Sequence, residues 1–138
     1  MNLIKLFFLI IFISSSSYAN NSYFSDGLSL FNNKEFDKAK FKFEQDIVYN
    51  PKNENSYLYL SKIFKAQKKK KLEEQNLDAV LLLNPKNEEA VYNLAKLKLD
   101  NSDYLQSKKL IDQLLGFCKN YCKQSKLLKN EINNYIKK

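Results

Sequence analysis

The chain has no histidine and no arginine, and its 138 residues include only two glycines, two prolines and two cysteines. Without histidine it lacks the side chain that most often serves as general base or metal ligand near neutral pH. It also has no glycine-rich loop able to cradle a phosphate, and no cluster of metal-ligating residue types at ligand spacing. The adjacent carboxylates Glu73-Glu74 and Glu88-Glu89 do not fill this gap. Neighbours on a helix point about 100° apart, so neither pair converges on one reacting atom. Both pairs read as solvated helix faces or as favourable charges in a first turn. The sequence therefore predicts no enzyme, no cofactor and no metal.

The missing arginine also weighs against nucleic acid. Lysine supplies all 23 basic residues against 15 acids, a formal net charge of +8, whereas phosphate recognition favours the bidentate guanidinium. An excess of lysine suits non-specific attraction to anionic surfaces, a membrane surface included. Its densest cluster, Lys68 to Lys71, reads as a solvated turn between two helices.

The beginning of the chain stands apart. Lys5 precedes the apolar run Leu6 to Ile13, and Ser17-Tyr18-Ala19 supplies a small-x-small pattern, so residues 1–19 are expected to be a secretory signal cleaved after Ala19. The run is shorter than the roughly 18 to 20 residues that span a bilayer. No cysteine lies near the cleavage pattern to carry a lipid. Residues 20–138 are expected to be exported, to a periplasm or beyond, with a net charge of +7 once Lys5 is removed.

Long periodic apolar segments separate Gly27, Pro51, Pro85 and Gly116 and predict an all-helical domain. Asn50-Pro51-Lys52-Asn53-Glu54 returns unchanged as Asn84-Pro85-Lys86-Asn87-Glu88, 34 residues later, the length of one helix-turn-helix repeat. Each proline closes one helix and lets the next begin, with Asn53 and Asn87 as N-caps. Around these markers stand Tyr23, Gly27, Leu30, Phe36, Ala39 and Phe43 in a first unit, and Tyr57, Leu60, Ser61, Phe64, Leu77 and Val80 in a second. A third unit has Ala90 to Ala95, Asp103-Tyr104, Ile111 and Leu114. The small residues Gly27, Ser61 and Ala95 let two helices approach closely. Tyr121, Leu128, Ile132 and Tyr135 then fall at helical spacing and predict an amphipathic closing helix, which a repeat array needs for solubility.

These positions resemble the tetratricopeptide repeat (TPR) pattern over nearly all of the mature chain. Three departures stand out: Asp26 where leucine is usual, Lys70 and Glu73 in place of an aromatic and an alanine, and Lys119 where the other units have proline. At Lys70 the turn is expected to loosen or the lysine stem to snorkel outward. The resemblance implies an all-α, right-handed α-solenoid of about three helix-turn-helix units, near residues 20–53, 54–87 and 88–119, with a capping helix at 120–137. It also implies an inner groove, lined by the first helix of each pair, that takes peptides or protein segments. Carried over residue by residue, the groove consists of Phe24, Leu28 and Phe31, then Leu58, Lys62 and Lys65, then Tyr92, Lys96 and Leu99. Part apolar and part basic, it would suit a segment carrying apolar anchors and acidic groups. Phe24 and Leu28 read equally well as packing residues. Some family members grip a terminal carboxylate with lysine, arginine and asparagine, but the matching places hold Phe24, Leu28, Tyr59, Glu89 and Asn93, so that clamp is not expected.

Cys118 and Cys122 are an even pair, and in an oxidising compartment they predict a disulfide. So small a loop would contribute at most roughly 2 kcal/mol on the chain-entropy model, stapling the turn before the closing helix. A redox pair is the sharper reading, but three residues intervene instead of two and no thioredoxin-like strand pattern surrounds them. The sequence thus points to an exported scaffold that binds a protein or peptide. The alternatives are an envelope assembly factor binding anionic lipid or cell-wall polymer through its lysines, and a thiol accessory using the cysteine pair.

Overall fold

The computed structural model describes residues 22–137, so the expected signal segment lies outside the described residues. Among the described residues there are seven α-helices and no strand. They are α1 (Ser22–Asn32), α2 (Phe36–Tyr49), α3 (Glu54–Ala66), α4 (Lys70–Leu83), α5 (Glu88–Asp100), α6 (Tyr104–Leu115) and α7 (Cys122–Ile136). The chain divides into two compact units, one ending at Pro51 and holding α1 and α2, the other beginning at Lys52 and holding α3 to α7.

Helix starts follow the caps the sequence offers. Asn53 accepts the backbone N–H of Asn55, and Asn87 that of Ala90, each satisfying a donor left open at a helix N-terminus. Asp103 does the same for α6 through Gln106. The ends of α1, α3 and α5 share another device. Lys34, Lys68 and Ser102 have φ of 63°, 57° and 62°, and successive members of this set stand one repeat length apart. At Lys34 the N–H reaches the carbonyl of Phe31, while the next N–H, of Glu35, reaches Leu30. The same two bonds recur at Lys68-Lys69 and at Ser102-Asp103. This is the Schellman termination, built here without glycine, at a cost of about 1 kcal/mol or more per left-handed residue.

In the first unit, buried Gly27 lies against fully buried Phe43, whose ring would stand 2.7 Å from an added Cβ. Glycine is therefore what allows α1 and α2 to meet this closely. Asp26, the departure from the repeat pattern, lies within 3.5 Å of Lys42, whose ammonium also sits over the Tyr23 ring.

In the second unit, Leu58, Leu77, Val80, Ala90, Leu94 and Leu97 form one buried cluster. Val91, Ala95, Leu99, Ile111, Leu114, Leu128 and Ile132 form another, which seats α7. Small residues mark the crossings here too: Ser107 donates its hydroxyl proton to the carbonyl of Ala95 at 2.8 Å. At the corresponding place between α3 and α4 stands Glu73, only 5% exposed. Lys70 does reach outward, donating from Nζ to the Asp100 carbonyl and to Asn101 Oδ1 at the end of α5. There a cation also meets the negative end of the helix dipole.

The repeated pentapeptide does more than turn the chain. Glu54, which ends its first copy, accepts from the side-chain amides of Asn84 and Asn87 in the second copy. Glu88, which ends the second copy, accepts the backbone N–H groups of Lys119, Asn120 and Tyr121. Each copy thus holds the inter-helix turn that follows it, even where that turn has lost the motif.

Candidate functional site

Within the second unit, the first-helix positions that the repeat pattern assigns to a groove fall on α3 and α5. Leu58 and Leu99 do not line an open surface. They are 5% and 8% exposed, because the clusters between neighbouring helices close over them. Lys62 is only partly available, since its Nζ lies 2.8 Å from a Glu89 carboxylate oxygen and 4.5 Å from the Tyr59 ring centroid. That contact spans α3 and α5, so the lysine ties the two helices together. Lys65 is exposed, while Tyr92 and Lys96 are half-buried.

Tyr92 and Lys96 also border an open cavity of about 150 Å³ between α5 and α7, completed by Gln124, Leu127, Leu128 and Glu131. Leu128 is buried at 3% exposure, whereas Leu127 is 63% exposed. The Tyr92 ring is fixed against Tyr121, with centroids 5.4 Å apart and planes tilted by 50°. Burial pushes the Tyr121 phenol above its ordinary range, reinforced by the carboxylates of Glu89 and Glu88, so it stays neutral. Among the described residues the Lys96 ammonium makes neither an ion pair nor a side-chain hydrogen bond.

In the first unit, Phe24 packs on Phe43 and Phe31 on Phe36, with ring centroids 5.7 and 5.5 Å apart. Both rings are half-buried, as is Leu28.

The sulfur atoms of Cys118 and Cys122 stand 2.00 Å apart, with their Cα atoms at 5.3 Å. The residues between them are those whose N–H groups point at Glu88. The Tyr121 N–H leads in holding that carboxyl below its usual range. Sequence reasoning missed this grip. The clue was that Glu54 and Glu88 recur at one repeat length along with the asparagines and prolines.

The acidic pairs are not the solvated faces the sequence suggested. Glu73 is buried, Glu74 pairs with Lys98, Glu88 holds the turn before α7, and Glu89 pairs with Lys62. Glu88 and Glu89 do also lie in the first turn of α5. Glu73 likewise lies in the first turn of α4, while Glu74, Glu88 and Glu89 are each committed to a contact that brings together two helices or a helix and a turn.

No family model and no curated protein sequence matches the chain. Solved structures do. The first TPR of Spaghetti (RPAP3) bound to an HSP90 peptide matches 84% of this chain and 91% of its own, at 15% identity and a TM-score of 0.76. The Arabidopsis OM64 TPR domain matches 85% and 96%, at 17% identity and a TM-score of 0.76. The Yersinia enterocolitica type III secretion chaperone SycD, in complex with a peptide of the translocator YopD, matches 82% and 88%, at 11% identity and a TM-score of 0.72. Helix order, repeated turns and these similarities agree, and the chain has a TPR-type, all-α solenoid repeat fold.

Proposed function

We propose that this chain is an exported scaffold module that binds an extended peptide or protein segment on the α3 and α5 face of its second unit. The observation that carries this reading is half-buried Tyr92 and unpaired Lys96 beside an open cavity, with exposed Lys65 on α3. Such a surface offers apolar contact area and uncompensated positive charge together. The fold adds support, since RPAP3 holds an HSP90 peptide and SycD a YopD peptide. Export rests on Lys5, the apolar run and Ser17-Tyr18-Ala19. An oxidising compartment would in turn let Cys118 and Cys122 form a disulfide, and their Cα separation of 5.3 Å lies within the usual bridging range.

The test is selection of a phage-displayed random dodecamer library on the protein, purified after expression with its own leader. Enrichment of peptides that bind the folded chain, and survive 0.5 M salt, is the expected result. No enrichment over an unrelated helical protein would overturn the reading. Binding lost near 0.5 M salt would return the lysine surface to first place.

A further inference from the structure

We infer that the cavity between α5 and α7 is the specificity pocket for the bound segment, taking one large apolar side chain while an acidic residue beside it sits on Lys96. This rests on the peptide-binding reading and adds to it the chemistry of the peptide.

Size comes first. Small-molecule sites usually enclose about 300 to 1,000 Å³ and bury most of their ligand. This cavity holds about 150 Å³ and is open, room for one benzene-sized group. It therefore suits a single side chain of something that remains largely outside. Buried Leu128 and partly exposed Leu127 give it an apolar lining. An isolated leucine at 63% exposure is ordinary on a surface, but at the rim of a cavity it offers area that an incoming apolar group would cover.

Charge then selects the neighbour. On α5, Lys98 is neutralised by Glu74, whereas Lys96 has no such partner among the described residues. Across the cavity on α7 stand Glu131 and Gln124. An acidic residue is thus attracted to Lys96 on the α5 side and repelled by Glu131 on the α7 side. Gln124 and Glu131 also offer the donor and acceptors that an extended backbone needs.

The pocket is formed in advance of any ligand. Its Tyr92 wall is fixed by Tyr121, and the turn carrying Tyr121 is held by Glu88. Little ordering then remains to oppose binding.

The experiment uses dodecamers from the library selection, synthesised with a fluorescein label and titrated by anisotropy. The expected peptides carry an apolar residue next to Asp or Glu. Changing that apolar residue to Ser, or the protein by Lys96→Gln or Leu127→Ser, lowers affinity at least tenfold, while the remote Lys109→Gln leaves it unchanged. Leu127→Gln serves as a second variant should Leu127→Ser fail to fold. If selected peptides bind but ignore the Lys96 and Leu127 changes, the pocket assignment is overturned and the peptide-binding reading stands. If selection yields no peptide at all, both fall.

Discussion

Glu88 accepts the backbone N–H of Tyr121 at 2.9 Å, and Tyr121 in turn packs its ring on Tyr92, so one carboxylate positions both the closing helix and a wall of the cavity. Lys119 and Asn120 donate to the same carboxylate. On α6, Asp112 carries out a related task by pairing with Lys129 of α7. The pentapeptide that marks the repeats thus reaches, through its last residue, to the candidate site.

Acid should release α7 before the rest of the fold. Glu88 is held below its usual range chiefly by the Tyr121 N–H, and Asp112 by hydrogen bonds from Lys108 and Lys129. Carboxylates lowered in the folded state stabilise it above their unfolded pKa values, and that stability is lost as pH falls through the folded values. Glu73 opposes them: burial raises its pKa, so its penalty exists when it is ionised and disappears in acid. A global melting curve would mix these signs, so the measurement is amide exchange in α7. The protection factors of α7, corrected for the slower intrinsic exchange in acid, are expected to fall below about pH 4, and Glu88→Gln should flatten that dependence. Uniform protection of α7 down to pH 3 would contradict it.

Gly27→Ala should destabilise the first unit. The new Cβ would meet the Phe43 ring at 2.7 Å, and Phe43 is fully buried and so cannot swing aside. Overpacking of this kind costs about 1–3 kcal/mol. Urea denaturation would report it, and an unchanged midpoint would show that α1 and α2 can separate at no cost.

Lys68→Gly should stabilise the chain by about 0.5–1 kcal/mol, because glycine avoids the steric cost of the left-handed backbone and gives back part of the gain in chain entropy. The same change at Lys65, inside α3, should cost about 1 kcal/mol. Thermal melts of the two variants are expected to move in opposite directions.

Serine at both Cys118 and Cys122 should lower stability by no more than roughly 2 kcal/mol and leave peptide affinity within twofold. Intact mass with and without reductant would establish the bond beforehand. An unchanged mass would leave two thiols and remove the staple. Loss of binding in the folded double-serine variant would instead favour a thiol role.

Much of the fold was legible because helix periodicity and caps are local. Asn53 and Asn87 were readable as N-caps from their place after each proline, and Gly27 and Ala95 as close crossings from the resemblance to the repeat pattern. The left-handed ends at Lys34, Lys68 and Ser102 were not, since glycine is the usual signal and none is present there. The site was harder to read, because availability depends on which helices close over a residue. Leu58 and Leu99 share a first-helix register with Tyr92 and Lys96, yet they are drawn into the core. Lys62 and Glu89 lie far apart in sequence, so their ion pair emerges only when α3 and α5 are brought together.

The most direct test of the peptide-binding account is a ¹⁵N–¹H correlation spectrum of the protein titrated with one selected dodecamer. Shifts should concentrate on α3 around Lys65, on α5 at Tyr92 and Lys96, and on α7 at Gln124 to Glu131. Shifts confined to α4 and α6, with Tyr92 and Lys96 unmoved, would contradict it.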